Sequence, residues 1–243
     1  MKKTVALLGC LLWAGMVTAD DDVAQRITEN LQQVDARIEV KSIKEAPIAG
    51  LHEVTLSSGD VLYANDAGEY FLIGQLYQFS KTDGFVNLTE AQQKVARREL
   101  MAKVADEDTV IFPPEGEVKA TIDIFTDVDC PYCRKLHQEV PKLNAMGVKV
   151  RYLAFPRKGE GSSTYAEMVS IWCAEGEARR TAMTDVKSGA KLPPASCDNP
   201  VKSQYLLGKD VGVNGTPATV LEDGTLIPGY MPAANMARIL GVQ

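Results

Sequence analysis

The chain has 243 residues, 45% of them hydrophobic and 24% charged, with a formal net charge of −6. That length suffices for one large domain or two small ones. The acidic balance, without a basic stripe or a nucleic-acid motif, argues against nucleic acid as a partner.

Lys2 and Lys3, the apolar run from Val5 to Val17 and the small residues around Thr18-Ala19 fit a secretory leader, residues 1–19, cleaved near Ala19. The run is shorter than the ~20 residues that a membrane-spanning helix needs, and a lipoprotein signal at Cys10 would cut it short. Export to an oxidising compartment follows as the expectation. Loss of Cys10 leaves Cys130, Cys133, Cys173 and Cys197, an even set that permits a lasting disulfide. A structural Cys173–Cys197 bond is expected, the competing reading being two buried free thiols.

Val23, Ile27, Leu31 and Val34 form a helical stripe. Ile38 to Ala46 reads as extended up to Pro47. Leu51 to Leu56 and Asp60 to Ala64 read as a hairpin around Ser57-Ser58-Gly59, and Glu69 to Ile73 as a further strand. This α+β block, residues 20–86, has too little chain to bury a good core alone. It is expected to pair with a second copy through a strand edge or to pack against the rest of its own chain. From Thr89 to Ala105 there is neither Gly nor Pro, and the sparse apolar positions Val95, Leu100, Met101 and Val104 predict a solvated helix. Residues 87–117 are therefore read as a helical linker, broken at Phe112-Pro113-Pro114.

In residues 118–243, Val118 to Phe125 alternates as a strand, and Asp129-Cys130-Pro131-Tyr132-Cys133-Arg134 opens a helix carrying Leu136, Val140 and Leu143 on one face. Pro131 suits a first helical turn, and Pro141 should kink or end the helix. Val148 to Phe155 is a second strand, parallel to the first if the helix is a crossover. A helical insertion runs from Ser163 to Leu207. Gly215-Thr216-Pro217, a strand Ala218 to Leu221, an Asp223-Gly224 turn, a strand Thr225 to Pro228 and a helix from Ala233 to Leu240 complete the chain.

Cys130 thus falls at a helix N-terminus, where free N–H groups and the helix dipole favour an anion. The thiolate is the form that attacks disulfides. Cys133, one turn further in, is more shielded and can attack a mixed disulfide formed at Cys130. The competing reading is half of a zinc site, for which Cys173 and Cys197 supply no second close-spaced pair. His137 reads as a surface helix position, His52 as a satisfied strand residue and Trp172 as core.

The order strand, C-x-x-C, kinked helix, strand, helical insertion, Thr-Pro and hairpin resembles a thioredoxin-fold oxidoreductase. Phe125-Thr126-Asp127, Tyr152-Leu153-Ala154-Phe155-Pro156-Arg157, Ile171-Trp172-Cys173 and Gly215-Thr216-Pro217, with the N-terminal block and its helix, extend the likeness. The mature chain resembles the DsbC/DsbG family of periplasmic disulfide isomerases. The resemblance implies an α/β fold: a thioredoxin-like domain with a helical insertion, preceded by a small α+β dimerisation domain and a linker helix. It implies Cys130 as nucleophile and Cys133 as resolving thiol. Thr216-Pro217 would be a Thr–cis-Pro loop that pairs with an extended substrate beside Pro131 and Tyr132, and Cys173–Cys197 the structural disulfide. It further implies a V-shaped homodimer with an apolar cleft and chaperone activity, misoxidised or unfolded periplasmic proteins as substrates, a membrane reductase of the DsbD type as partner, and no metal or cofactor. The alternative within the family is a DsbG-like reductant of oxidised cysteines on folded proteins.

Two departures stand out. Pro131 occupies a place where the family commonly has Gly. Ile124 lies six residues before Cys130, where many thioredoxin-fold relatives carry a buried acid, so the sequence leaves the proton acceptor for Cys133 unidentified.

Overall fold

The computed structural model describes residues 19–242, and the expected leader at 1–19 lies, except for Ala19, outside the described residues. Two compact units divide between Gly74 and Gln75, except that the turn Ser57–Asp60 groups with the second.

The first unit opens with helix α1, Ala19–Val34. Four antiparallel strands follow, β1 Val40–Glu45, β2 Leu51–Leu56, β3 Val61–Asn65 and β4 Phe71–Ile73, in the order β1-β2-β3-β4. Ile27 and Leu31 of the predicted stripe pack on Val54, Leu62 and Ala64, a small core. His52 is buried, with Nε2 2.7 Å from Asp66 Oδ1. Tyr70, Phe71, Leu72 and Ile73, on and beside the edge strand β4, are exposed, Ile73 at 87%.

The second unit begins with a hairpin that alternation did not predict, β5 Tyr77–Ser80 and β6 Gly84–Asn87, followed by helix α2, Leu88–Met101. Asn87 caps α2 by accepting from the Glu90 N–H. Thr89 Oγ1 accepts from the Leu76 N–H at 2.8 Å, which ties hairpin and helix together. This is why the units part before the hairpin, whereas composition alone sets the boundary at 86/87.

The linker expected over 87–117 is α-helical only from Leu88 to Met101, and it is not a solvated bridge. Met101 is buried, Leu100 and Val104 pack beside it, and Val95 faces outward. The anchor is a charged residue, Arg97, 4% exposed. Its Nε donates to the Val211 carbonyl at 2.8 Å and its Nη1 to the Gly224 carbonyl at 2.7 Å, with Glu90 as ion-pair partner. Sparse apolar spacing reads as solvation, but two buried carbonyls that need donors reverse that reading. Gly224 has φ +88, and a Cβ there would stand 2.1 Å from the Lys94 carbonyl oxygen of α2, so the turn must be glycine.

After a 3-10 turn at Asp106–Asp108 comes β7, Val110–Phe112. It pairs antiparallel with β9, Val148–Ala154, so part of the expected linker is an edge strand of the main sheet. β8, Ala120–Thr126, runs parallel to β9, joined by α3, Pro131–His137, and α4, Val140–Ala145, with the break near Pro141 as expected. The insertion is α5, Ser163–Trp172, α6, Gly176–Lys187, and α7, Val201–Asp210. β10, Ala218–Leu221, β11, Leu226–Pro228, and α8, Ala233–Leu240, close the chain, and the five-stranded order is β11-β10-β8-β9-β7.

Strand alternation divides the sheet into two faces. Ile122, Ile124, Val150 and Tyr152 pack with Leu136, Val140, Ile171, Trp172, Met183 and Val186. Phe125, Leu153, Phe155 and Val220 face Met101, Val211 and Leu207. Trp172 is core, and its indole N–H donates to the Asp108 carbonyl at 2.7 Å.

Replacing Arg97 by Met leaves the carbonyls of Val211 and Gly224 without that donor, an expected loss of about 2–4 kcal/mol. Equilibrium denaturation checks this, with the exposed neighbour Arg98→Met expected to change stability by less than about 0.5 kcal/mol.

Candidate active site

Strand β8 ends at Thr126, and the short turn through Asp127, Val128 and Asp129 delivers Cys130 to the N-cap of α3, with Pro131 in the first turn. The Cys130 carbonyl accepts the first helical bond, from Arg134 N at 3.1 Å. Asp127 is buried and shapes the turn. Its Oδ1 accepts from Asp129 N at 2.7 Å, and its Oδ2 from the N and Nε of Arg157 at 2.9 and 3.0 Å. Cys130 and Cys133 are free thiols. Pro131 and Tyr132 between them are exposed, Tyr132 at 62%.

The Thr216–Pro217 peptide is cis, and the loop lies against the first cysteine: Cys130 Sγ donates to the Thr216 carbonyl at 3.1 Å. Among the described residues Thr216 Oγ1 finds no hydrogen-bond partner, so its buried hydroxyl is a spare donor. The fold therefore brings together Cys130, Cys133, Thr216, Pro217, Pro131 and Tyr132, residues spread over 88 positions of the numbering, 130 to 217. Cys173 and Cys197 stand apart from them, bonded to each other with Cα atoms 5.7 Å apart. That bond removes both from any metal set that Cys130 and Cys133 could complete.

The two sulfurs meet opposite environments. Burial opposes ionisation of Cys130, but Thr216, the amide and thiol of Cys133 and the Arg157 charge outweigh it, and the thiol is held below its ordinary range. Burial pushes the Cys133 thiol up, against the Lys187 charge, the Asp127 amide and the hydroxyls of Thr126 and Thr216. Both cysteines are buried, Cys130 2% exposed and Cys133 not at all, and the arrangement favours the anion at the first sulfur and the protonated thiol at the second.

Sequence reading missed Lys187. It ends α6, 5% exposed, with its Nζ donating to Thr126 Oγ1 at 2.7 Å and 5.1 Å from the centroid of the Tyr152 ring. The signal was present: Lys187 follows Met183 by one helical turn, on the face that also buries Ala182 and Val186. His137 is a correction. It is not a surface position but sits half-buried between β9 and α6, with Nδ1 3.1 Å from the Tyr152 hydroxyl and Nε2 3.1 Å from Thr184 Oγ1. Phe112 covers its ring edge-on at 5.1 Å. Burial, and then the Lys187 charge, lower it to about 4, so it is a neutral packing group.

Two family models match: a disulfide bond isomerase protein N-terminal domain over residues 17–90, and a thioredoxin-like domain over residues 105–242. The thiol:disulfide interchange protein DsbC of Escherichia coli K12 is 40% identical over 99% of this chain and 96% of its own length. Its namesake in Haemophilus influenzae is 33% identical over 99% of this chain and 98% of its own. Among solved structures, a disulfide interchange protein from Neisseria gonorrhoeae is 29% identical with a TM-score of 0.50, covering 57% of this chain and 96% of that one. The fold is accordingly a thioredoxin-like α/β domain with a helical insertion, behind an isomerase-type N-terminal domain.

The depressed histidine makes the fold acid-sensitive. Its folded value of about 4 lies below the ordinary 6.5, so the unfolded chain takes up this proton first as pH falls. The contribution is fully present above pH 6.5 and is lost on descending to about 4, up to about 3 kcal/mol. Denaturation of His137→Gln across that range is expected to show a shallower acid slope than the unaltered protein.

Proposed function

The chain belongs to the DsbC family of thiol:disulfide interchange proteins, and on that premise we propose that it reshuffles or reduces incorrect disulfides in unfolded proteins of the periplasm through the Cys130/Cys133 pair. The observation that carries this reading is Cys130 at the N-cap of α3, its sulfur against the Thr216 carbonyl, in a chain that also has an isomerase-type N-terminal domain.

Cys130 thiolate attacks one sulfur of a wrong disulfide. A Cys130–substrate bond forms, and the other substrate sulfur leaves with the electron pair. That thiolate, or another in the substrate, then displaces Cys130 in a new pairing, and the enzyme emerges unchanged. Alternatively Cys133 attacks Cys130, the substrate leaves reduced by two electrons, and the enzyme holds a Cys130–Cys133 disulfide. Thr216 and Pro217 would hold the extended substrate backbone, and the exposed Pro131 and Tyr132 would flank it. Continued turnover requires reduced cysteines, the role assigned to a membrane reductase of the DsbD type.

A homodimer is the assembly proposed. Support comes from the N-terminal domain model and from β4, whose free edge carries the exposed Phe71, Leu72 and Ile73. Two such chains would face their cysteines across an apolar cleft, and chaperone activity toward unfolded chains would follow from it. Periplasmic location, after cleavage near Ala19, is supported by the leader-like N-terminal pattern and the Cys173–Cys197 disulfide. Among the described residues no helix is long and apolar enough to cross a membrane.

Reactivation of scrambled ribonuclease tests the chemistry. Cys130→Ser is expected to abolish it, and full reactivation by that variant would mean a binding module rather than an enzyme. Charges at Leu72 and Ile73, each changed to Asp, are expected to give monomers by sedimentation that still reduce insulin but isomerise poorly. Undiminished isomerisation by monomers would refute the dimeric account.

A further inference from the structure

We propose that Lys187 and Thr126 form a proton relay for the resolving step, in which Thr126 passes the Cys133 proton to Lys187 as Cys133 attacks the mixed disulfide at Cys130. The inference rests on the interchange reading above and assigns Lys187 as a positioning residue that acts through Thr126.

A lysine 5% exposed at the end of a helix needs a reason, because burying a charge is costly unless it is paired. Among the described residues no carboxylate lies within ion-pair distance of Lys187. Asp127, whose charge does act on Lys187, has its oxygens engaged by Arg157 and the Asp129 N–H. The ammonium instead donates to Thr126 Oγ1 at 2.7 Å, and the same hydroxyl favours the ionised form of Cys133. Thr126 and Cys133 are both fully buried, so amine, hydroxyl and thiol share an interior closed to water. The remaining titratable and charged groups that act on Lys187 or are acted on by it are Cys130, Asp127, Arg134 and His137, with the Tyr152 ring beneath. His137 is neutral above about pH 4, and burial keeps Tyr152 protonated, so neither competes for the proton at neutral pH.

Burial lowers Lys187 to about 8, against the charges of Cys133, Asp127 and Cys130 that hold it up. Lysine and thiol then titrate as a pair. Loss of one proton leaves either a neutral amine beside a thiol or an ammonium beside a thiolate, and the second of these is the attacking form. In the step itself the Cys133 S–H proton moves to the Thr126 oxygen as the Thr126 proton moves to the Lys187 amine. The Cys133–Cys130 bond forms, the Cys130–substrate bond breaks, and the substrate leaves as a thiolate protonated by solvent. The substrate gains two electrons, and the enzyme dithiol loses them.

The test uses the reduced full chain and an aromatic disulfide whose thiol is coloured, bis(5-thio-2-nitrobenzoate). The first coloured equivalent reports attack by Cys130, and the second reports resolution by Cys133. Lys187→Met is expected to leave the first release essentially unchanged, to shift the pH midpoint of the second upward, and to slow it about tenfold at neutral pH, the effect of one unit in thiolate pKa. Its thermal midpoint at neutral pH is expected to match or exceed that of the parent, since an uncompensated buried ammonium is lost. Thr126→Val, which keeps the lysine and removes the oxygen, is expected to shift the same midpoint in the same direction, and it decides the matter should Lys187→Met not fold. A second-step profile unchanged in the folded variants overturns the relay and leaves the interchange reading intact. A parent protein that never releases the second equivalent overturns both.

Discussion

The environment of two neighbouring sulfurs, one at the start of a short helix and the other a turn inside it, is the constraint that the second unit serves. Helix α3 begins where β8 ends, and the cis loop before β10 comes back to place the Thr216 carbonyl 3.1 Å from Cys130. β10 is hydrogen-bonded to β8 with Ala218 opposite Phe125. The loop just before one strand and the turn just after the other therefore meet at the same end of the sheet. The register of two strands, more than any contact near the sulfurs, sets that distance.

Around this point the fold separates the two thiols chemically. Cys130 has donors and the Arg157 charge near it, and Asp127, itself buried, holds Arg157 in place through two hydrogen bonds. Cys133 has the interior of the domain, relieved by Thr126 and Lys187. In the proposed mechanism the first arrangement would favour attack on a substrate disulfide, and the second would hold Cys133 back until a mixed disulfide exists. Substrate rearrangement would then have time to compete with release. Lys187 comes from α6, within the helical insertion that also carries the Cys173–Cys197 bond. The insertion thus contributes to the chemistry as well as to the covering of the sheet.

Much of this was legible in the sequence. The strand before the cysteines, the broken helix after them, the parallel strand at Val148, the strand Ala218–Leu221 and the last helix Ala233–Leu240 follow from period and punctuation. So does the placement of Cys130 at a helix start. Three failures share a cause, which is polar residues that are buried because another part of the chain needs them. Arg97 made α2 read as solvated, yet it serves carbonyls 114 and 127 positions away. His137 read as a surface position, with polar neighbours Lys135 and Gln138 in the sequence, while its partners Tyr152 and Thr184 lie far along the chain. Lys187 was passed over for the same reason. The strands Val110–Phe112 and Tyr77–Ser80 are too short for alternation to register.

The central claim is that the fold drives the two thiol titrations apart. Ultraviolet absorbance of the thiolate in the reduced protein, followed with pH and assigned through Cys130→Ser and Cys133→Ser, measures this directly. The account predicts two separate steps, with Cys130 ionising below and Cys133 above the ~8.5 of an unperturbed cysteine. Two thiols ionising together near that value would contradict it.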